Sequence, residues 1–489
     1  MNPLLLTDYY KVGHVFQYPE GTTMVYSNLT PRKSRIPDID HVIYFGGQYF
    51  YKKYLIDYFN NHFFNRPKDD VLNEYKRLVK NTIGDLPSYD HIEKLHDLGY
   101  LPIEIKSVPE GTKVPIRTAF LTIKNTLPEF YWITNFLETL MSAILWQPMT
   151  SATIANKYKE IFKKYLSESI GDTSFVQWMG HDFSFRGMSS LESAELSGMG
   201  HLLSFTGTDT IPAIMALEEY YNADVEKELV GASVAATEHS VMCAGTGVEG
   251  EFETFKRLIT KVYPNGIVSI VSDTFDLWEV LTDFMPRLKD DILTRDGKVV
   301  IRPDSGDPVD IICGTCQFTH NFDRNGLNSE EKGVIELLWD VFGGDVVNGY
   351  KVLNPKVGAI YGDSITPDRA IQISERLMAK GFAPLMVYGI GSYTYQYNTR
   401  DTFGFAVKAT YIETSGGGGI EIYKDPVTDD GTKKSAKGLI KLDLVDGNIV
   451  MTDQVSWEEE STGLLQTVFL NGNIVKETSL KEIKDILNK

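Results

Sequence analysis

The chain reads as an α/β protein, an irregular parallel β/α barrel with a second, discontinuous α+β domain made from its two ends. Two observations predict this. From about residue 175 onward, short apolar runs end in polar, glycine-containing turns and lead into helix-like segments. Past residue 400 the texture becomes β-rich, with strand-like runs that need partners elsewhere. At 489 residues the chain is too long for one ordinary core. The expected division is residues 1–150 and 401–489 for the discontinuous domain and 151–400 for the barrel.

The first third mixes short strands, MVYSN at 24–28 and VIYF at 42–45, with an aromatic helical stretch at 49–64. Ile133, Phe136, Leu137, Leu140, Met141, Ile144 and Leu145 then follow a helical stripe, and Ile154, Tyr158, Ile161, Phe162 and Tyr165 repeat it. Such stripes are core.

The barrel-like run ends are HDFSFRG (181–187), FTGTD (205–209), AATEHS (235–240), IVSIVSD (267–273), VIRPDSG (300–306), AIYGDS (359–364) and VYGIGS (387–392). Marker residues are spaced 30 from Asp209 to His239, 34 to Asp273, 31 to Asp304, 59 to Asp363 and 28 to Gly391. A repeat of about 30 residues is one strand-plus-helix unit. The interval of 59 is either two units or one with an insertion. In a barrel the loops after the strands converge on one mouth, which would gather these polar ends. Past residue 400, FGFAVKATYI, IEIY, LIKLDL and NIVM are strand-like, and QTVFLNGNIV carries an Asn471-Gly472 hairpin signal.

The composition excludes several classes. With 48 basic and 66 acidic residues the net charge is -18, which opposes nucleic acid or anionic membrane as a general partner, so any phosphate site must be local. Three cysteines, Cys243, Cys313 and Cys316, cannot build a disulfide framework and favour a reducing compartment. The start has no cationic lead and no secretory pattern, and no apolar run reaches the roughly 18 residues of a membrane span. A cytoplasmic location is expected.

The strongest chemical stretch is KVVIRPDSGDP at 298–308. A buried strand ends in Arg302 and Asp304, a planar phosphate fork and a carboxylate suited to hydroxyls or a cation, which together suit a phosphorylated sugar. His239, beside Glu238, could accept or relay a phosphoryl group. Asp209 either accepts an amide N–H or caps the next helix. The motif at Gly245, Gly247 and Gly250 matches a dinucleotide fingerprint in letters but does not directly follow a strand. Cys313, Cys316 and His320 offer at most three zinc-type ligands, and a loop insertion explains them more simply. No metalloprotease, α/β-hydrolase or Walker signature occurs.

Thr7-Asp8-Tyr9-Tyr10-Lys11, HDFSFRG, GTDT, EHS, SD at 272–273, RPDSGDP, GD at 362–363, the GIGS turn followed by Arg400-Asp401, and KDPV at 424–427 stand in one order along nearly the whole chain. In that order they resemble the nicotinamide phosphoribosyltransferase family. The resemblance implies a type II phosphoribosyltransferase fold that makes nicotinamide mononucleotide and pyrophosphate from nicotinamide and phosphoribosyl pyrophosphate, in NAD biosynthesis, with Mg2+. It implies a homodimer with both active sites at the interface. Phe183 and the other subunit's Tyr10 would sandwich the pyridine, and Asp209 would accept the carboxamide N–H. Arg186, His239 and Arg302 would surround the pyrophosphate. Asp304, Gly362 and Asp363 would hold the ribose, with Asp273 near its hydroxyls or the metal. Gly391, Ser392 and Arg400 would cradle the 5′-phosphate. His239 would be phosphorylated by ATP, whose hydrolysis favours product. Ser392 replaces a glycine of the family pattern, Thr237 an alanine, and residues 313–328 look inserted.

Overall fold

Val299, Val300 and Ile301 are buried in the middle of a strand, as their uninterrupted apolar run requires of a sheet covered on both faces. The computed structural model describes residues 1–316, 326–362, 364–429 and 431–489, so Asp363 and His320 lie outside the described residues. The strand is one of seven parallel ones: β1 (Gly180–Asp182), β2 (Gly207–Thr208), β3 (Ala235–Ala236), β4 (Asn265–Val271), β5 (Asp296–Arg302), β6 (Val357–Tyr361) and β7 (Val387–Ile390). Their order in the sheet is β2-β1-β7-β6-β5-β4-β3. Because β1 pairs with β7 as well as with β2, the sheet curls on itself, leaving one seam between β2 and β3.

The segment just before β3 closes that seam sparsely. Gly207 bridges Ala232, the Thr208 N–H donates to the Ala232 carbonyl at 2.9 Å, and the Ala232 N–H donates to the Thr206 carbonyl at 2.8 Å. The α/β barrel expectation thus agrees with the fold, and the irregularity sits at this seam. The long interval between β5 and β6 is an insertion, since these two strands pair directly in register from Val299↔Val357 to Ile301↔Ala359. It holds the helices Pro308–Cys313, Ser329–Lys332 and Val334–Phe342 and a hairpin of Gly344–Val347 with Tyr350–Leu353.

The barrel strands belong to a compact unit of Ile154–Ile214 and Val225–Tyr397; the other unit comprises Met1–Thr153, Met215–Asp224 and Asn398–Lys489. In the latter, Thr22–Pro31 pairs antiparallel with Phe405–Thr414 on one side and Leu121–Asn125 on the other. Ile103–Ser107 and then Gln466–Leu470 extend the sheet. Asn471 and Gly472 have φ of 48° and 80°, the left-handed pair that a tight hairpin needs. The aromatic stretch after Gly47 is helical through Phe64, wound partly with wider π-turns. The long helix is Glu138–Ser169, continuous through Pro148. Among the described residues no helix is long and apolar enough to cross a membrane.

Candidate active site

Each strand of the curled sheet ends in one of the polar groups singled out in the sequence. At the end of β1, the fully buried Asp182 carboxylate accepts the Ser184 N–H at 2.9 Å and the Thr210 hydroxyl at 2.8 Å. This fixes the turn from which Phe183 emerges. The Phe183 ring lies 4.5 Å from the His181 ring and 5.0 Å from the Arg302 guanidinium carbon, a cation–π distance. Space for the ring comes from Gly389, where a Cβ would stand 2.7 Å from Phe183 Cδ2.

Asp209 follows β2. Its Oδ1 accepts from His181 Nε2 at 2.9 Å and from the Ser233 hydroxyl at 2.6 Å, so the side chain does not cap the next helix. Among the described residues no hydrogen bond reaches Oδ2. Burial pushes the Asp209 carboxyl up, but the His181 hydrogen bond and charge, Ser233 and Arg302 outweigh it and hold the group below its ordinary range.

His239 opens the helix His239–Glu249 with its side chain nearly half exposed. Its Nε2 stands 3.9 Å from Asp273 Oδ1 and 3.9 Å from Asp304 Oδ2, and its Nδ1 lies 3.4 Å from the Thr274 hydroxyl. Asp273 Oδ2 accepts the Asp304 N–H at 2.8 Å and the Ser305 N–H at 2.7 Å, so the end of β4 fastens the loop after β5. Asp273 Oδ1 and Arg302 Nε are buried without a hydrogen-bond partner among the described residues. Gly362, after β6, is close against both charges. A Cβ there would stand 2.5 Å from Asp304 Oδ1 and 3.2 Å from Arg302 Nε.

Thr237 has a use of its own. Its hydroxyl accepts the Val271 N–H at 2.9 Å and its own N–H donates to the Ser269 carbonyl at 3.0 Å. The pairing of β3 with β4 therefore continues one residue further, towards His239. Gly391 caps the helix Ser392–Gln396, and Gly187 makes room for Ser392, because a Cβ on Gly187 would fall onto Ser392 Oγ. Arg186 is exposed in the turn Phe185–Gly187.

Phe183, Arg302, Asp304, Asp273, His239 and Gly362 thus form one connected group, joined to Asp209 through His181. Tyr10 and Arg400 belong to the other unit. There Tyr10 is 63% exposed and Arg400 pairs with Asp401 at 3.1 Å. Asp363 is outside the described residues. Sequence reasoning missed His181, Ser233 and Asp182 as site-shaping residues. The i, i+2 relation of His181 to Phe183 was a signal for the first; Ser233 had none.

The dinucleotide-like motif is not one. Gly245 and Gly247 lie within the helix His239–Glu249, and a Cβ on Gly245 would stand 2.5 Å from Thr254 Oγ1, so that glycine serves helix packing. Cys313 is buried, with its thiol pushed up to about 12 by burial and pointed at the Ile373 carbonyl at 3.5 Å. Among the described residues no group of three or more His, Cys, Asp or Glu is arranged to hold a metal ion.

The chain resembles known proteins over its full length. A model of the nicotinate phosphoribosyltransferase (NAPRTase) family matches residues 179–473, and one of the nicotinamide phosphoribosyltransferase N-terminal domain matches residues 2–105. The chain is 50% identical to the nicotinamide phosphoribosyltransferase of Acinetobacter baylyi, over 100% of this chain and 97% of that one. It is 33% identical to the protein of the same name from Xanthomonas campestris, over 99% and 97%. Among solved structures, the nicotinate-nucleotide pyrophosphorylase of Pyrococcus furiosus shares the fold, with a TM-score of 0.58 at 14% identity over 99% of this chain and 95% of that one. With a family model over residues 179–473, a second over residues 2–105 and a relative 50% identical along its full length, the chain belongs to the nicotinamide phosphoribosyltransferase family.

Proposed function

We propose that this chain transfers the phosphoribosyl group of phosphoribosyl pyrophosphate to nicotinamide, giving nicotinamide mononucleotide and pyrophosphate in NAD biosynthesis. The observation that carries the choice of base is Asp209, held below its ordinary protonation range, with no hydrogen bond on Oδ2 among the described residues and hydrogen-bonded to His181, whose ring stands against Phe183. An ionised carboxylate accepts the carboxamide N–H of nicotinamide and repels the carboxylate of nicotinate. The Phe183 face supports the pyridine ring.

The pyridine nitrogen donates its lone pair to the ribose C1 while the bond from C1 to the pyrophosphate oxygen breaks, and the pyrophosphate leaves with that electron pair. The nitrogen carries no proton, so no general base is required. Arg302, assisted by Arg186, neutralises the departing anion. Asp304 and Asp273 face the positive ribose, and Gly362 lets the sugar approach the backbone. Asp273 Oδ1, buried without a hydrogen-bond partner among the described residues, and Asp304 fit an Mg2+ ion held mainly by substrate phosphates, which would supply charge neutralisation at the leaving group. The Gly391-Ser392 turn suits the 5′-phosphate.

His239 is the phosphoryl acceptor in this reading. It is exposed and flanked by two carboxylates and Thr274. An N–P bond forms as ATP releases ADP, and water later cleaves it. The protein works as a homodimer in which Tyr10 of one subunit completes the other's base site; its exposure supports that role. Mixing the protein with phosphoribosyl pyrophosphate, Mg2+ and either base, with and without ATP, tests all of this. Nicotinamide mononucleotide is the expected product, and no product with nicotinamide refutes the proposal. Asp209→Asn should lower the rate with nicotinamide and raise it with nicotinate. His239→Ala should abolish the dependence on ATP, and an unchanged dependence sinks the phosphohistidine.

A further inference from the structure

We infer that His181 and Ser233 are positioning residues that set the choice between amide and acid, by gripping one oxygen of Asp209 and turning the other towards the base. This rests on the reading that Asp209 meets the carboxamide. An ionised carboxylate only accepts hydrogen bonds, so both neighbours donate: His181 through Nε2–H at 2.9 Å and Ser233 through its hydroxyl at 2.6 Å. Both converge on Oδ1. The Asp209 side chain is 45% exposed, and among the described residues these two donors make the only side-chain hydrogen bonds to its carboxylate.

The grip has a rigid origin. His181 is only 8% exposed, and its ring is confined by Phe183 on one side and by Gly207, where a Cβ would stand 2.7 Å from Nδ1. One imidazole therefore sets both the ring platform and the hydrogen-bond acceptor, so that the plane of the base and its substituent are read against the same side chain. Ser233 is delivered by the seam: the Gly207–Ala232 bridge carries the residue after Ala232 to the carboxylate on the neighbouring strand end.

The titratable and charged groups acting on Asp209 are His181 from β1 and Arg302 from β5. Asp182, on the same turn as Phe183, is committed to Ser184 and Thr210. Loss of a donor frees Asp209 to rotate and makes it easier to protonate. Each change weakens the amide contact and removes the like-charge barrier to an acid.

The test uses Ser233→Ala, which alters an exposed hydroxyl, together with His181→Leu and His181→Gln, measured in the full-length enzyme with both bases. Loss of a hydrogen bond to a charged group should raise the KM for nicotinamide about tenfold. The kcat and the KM for phosphoribosyl pyrophosphate should hold, nicotinate turnover should rise, and the acidic limb of kcat/KM for nicotinamide should move to higher pH. His181→Gln, whose side-chain amide can still donate, should recover part of the selectivity lost in His181→Leu. Unchanged base selectivity and pH limb in Ser233→Ala and in folded His181→Leu would overturn the inference while leaving the transferase reading intact. A parallel loss of kcat and both KM values with lowered thermal stability would overturn it too, by showing a structural role. No turnover of either base by the unmodified enzyme would instead remove the reading of Asp209 on which the inference stands.

Discussion

Gly362→Ala would separate the geometry of this site from its stability. The added Cβ would stand 2.5 Å from Asp304 Oδ1, where a comfortable contact between non-bonded heavy atoms is about 3.5 Å, so the carboxylate must retreat by about 1 Å. The backbone of Asp304 cannot follow, because its N–H and that of Ser305 are both fastened to Asp273 Oδ2, at 2.8 and 2.7 Å. The retreat is therefore a side-chain rotation, which costs about 1 kcal/mol, and the part-exposed Asp304 has solvent to turn into. Activity should suffer far more. Asp304 and Arg302 both border the new methyl, and a displacement of about 1 Å at reacting groups costs roughly 100-fold in rate. The assay is kcat and kcat/KM for phosphoribosyl pyrophosphate at saturating nicotinamide, beside a urea unfolding curve. A large fall in kcat with a nearly unmoved urea midpoint is expected. Activity indistinguishable from the unmodified enzyme would refute the assignment of Asp304 and Arg302 to the reacting centre.

Two further predictions concern stability. Burial pushes the Glu110 carboxyl up to about 7 against the backbone hydrogen bonds of Gln48 and Gly46 and that of the Tyr221 hydroxyl. A group raised in the folded state contributes stability that is whole below its unfolded value and is lost as pH rises through the folded one. About 3 kcal/mol should disappear as pH climbs from the ordinary carboxylate range to near neutrality, and Glu110→Gln should flatten that part of a urea-unfolding pH profile. In the barrel unit, Lys380 Nζ lies 2.8 Å from Glu336 Oε2, with both side chains almost wholly buried, and it also donates to the Cys313 and Lys332 carbonyls. Lys380→Met should cost about 3–5 kcal/mol by urea unfolding, while adding Glu336→Leu should recover much of it.

The parts of this molecule legible in its sequence are those written locally. An apolar run followed by a polar turn, recurring about every 30 residues with one longer interval, marked the strand ends of the barrel, because burial and the turn are both decided within a few residues. The hairpin at Asn471-Gly472 was legible for the same reason. What stayed hidden depends on register. His181 and Asp209 are 28 residues apart and meet only because β1 lies beside β2. Asp182 has the letter of a surface charge, yet it is a buried anchor for two turns. Ser233 lies in a stretch, Gly-Ala-Ser-Val, with neither a strand's alternation nor a helix's stripe. Thr237, visible only as an unexpected letter, supplies with its hydroxyl an acceptor that a strand backbone would otherwise provide.

The seam between β2 and β3 underlies the grip on Asp209. A parallel sheet stitched continuously elsewhere is held there by one bridge and a few backbone hydrogen bonds, which makes it the edge that opens at least cost. Asp209 and Ser233 sit on opposite banks of that edge. The Ser233 hydroxyl reaches Asp209 across that edge, so the hold on the carboxylate depends on the seam staying closed. If Asp209 reads the base as proposed, tightening the seam should sharpen discrimination between nicotinamide and nicotinate.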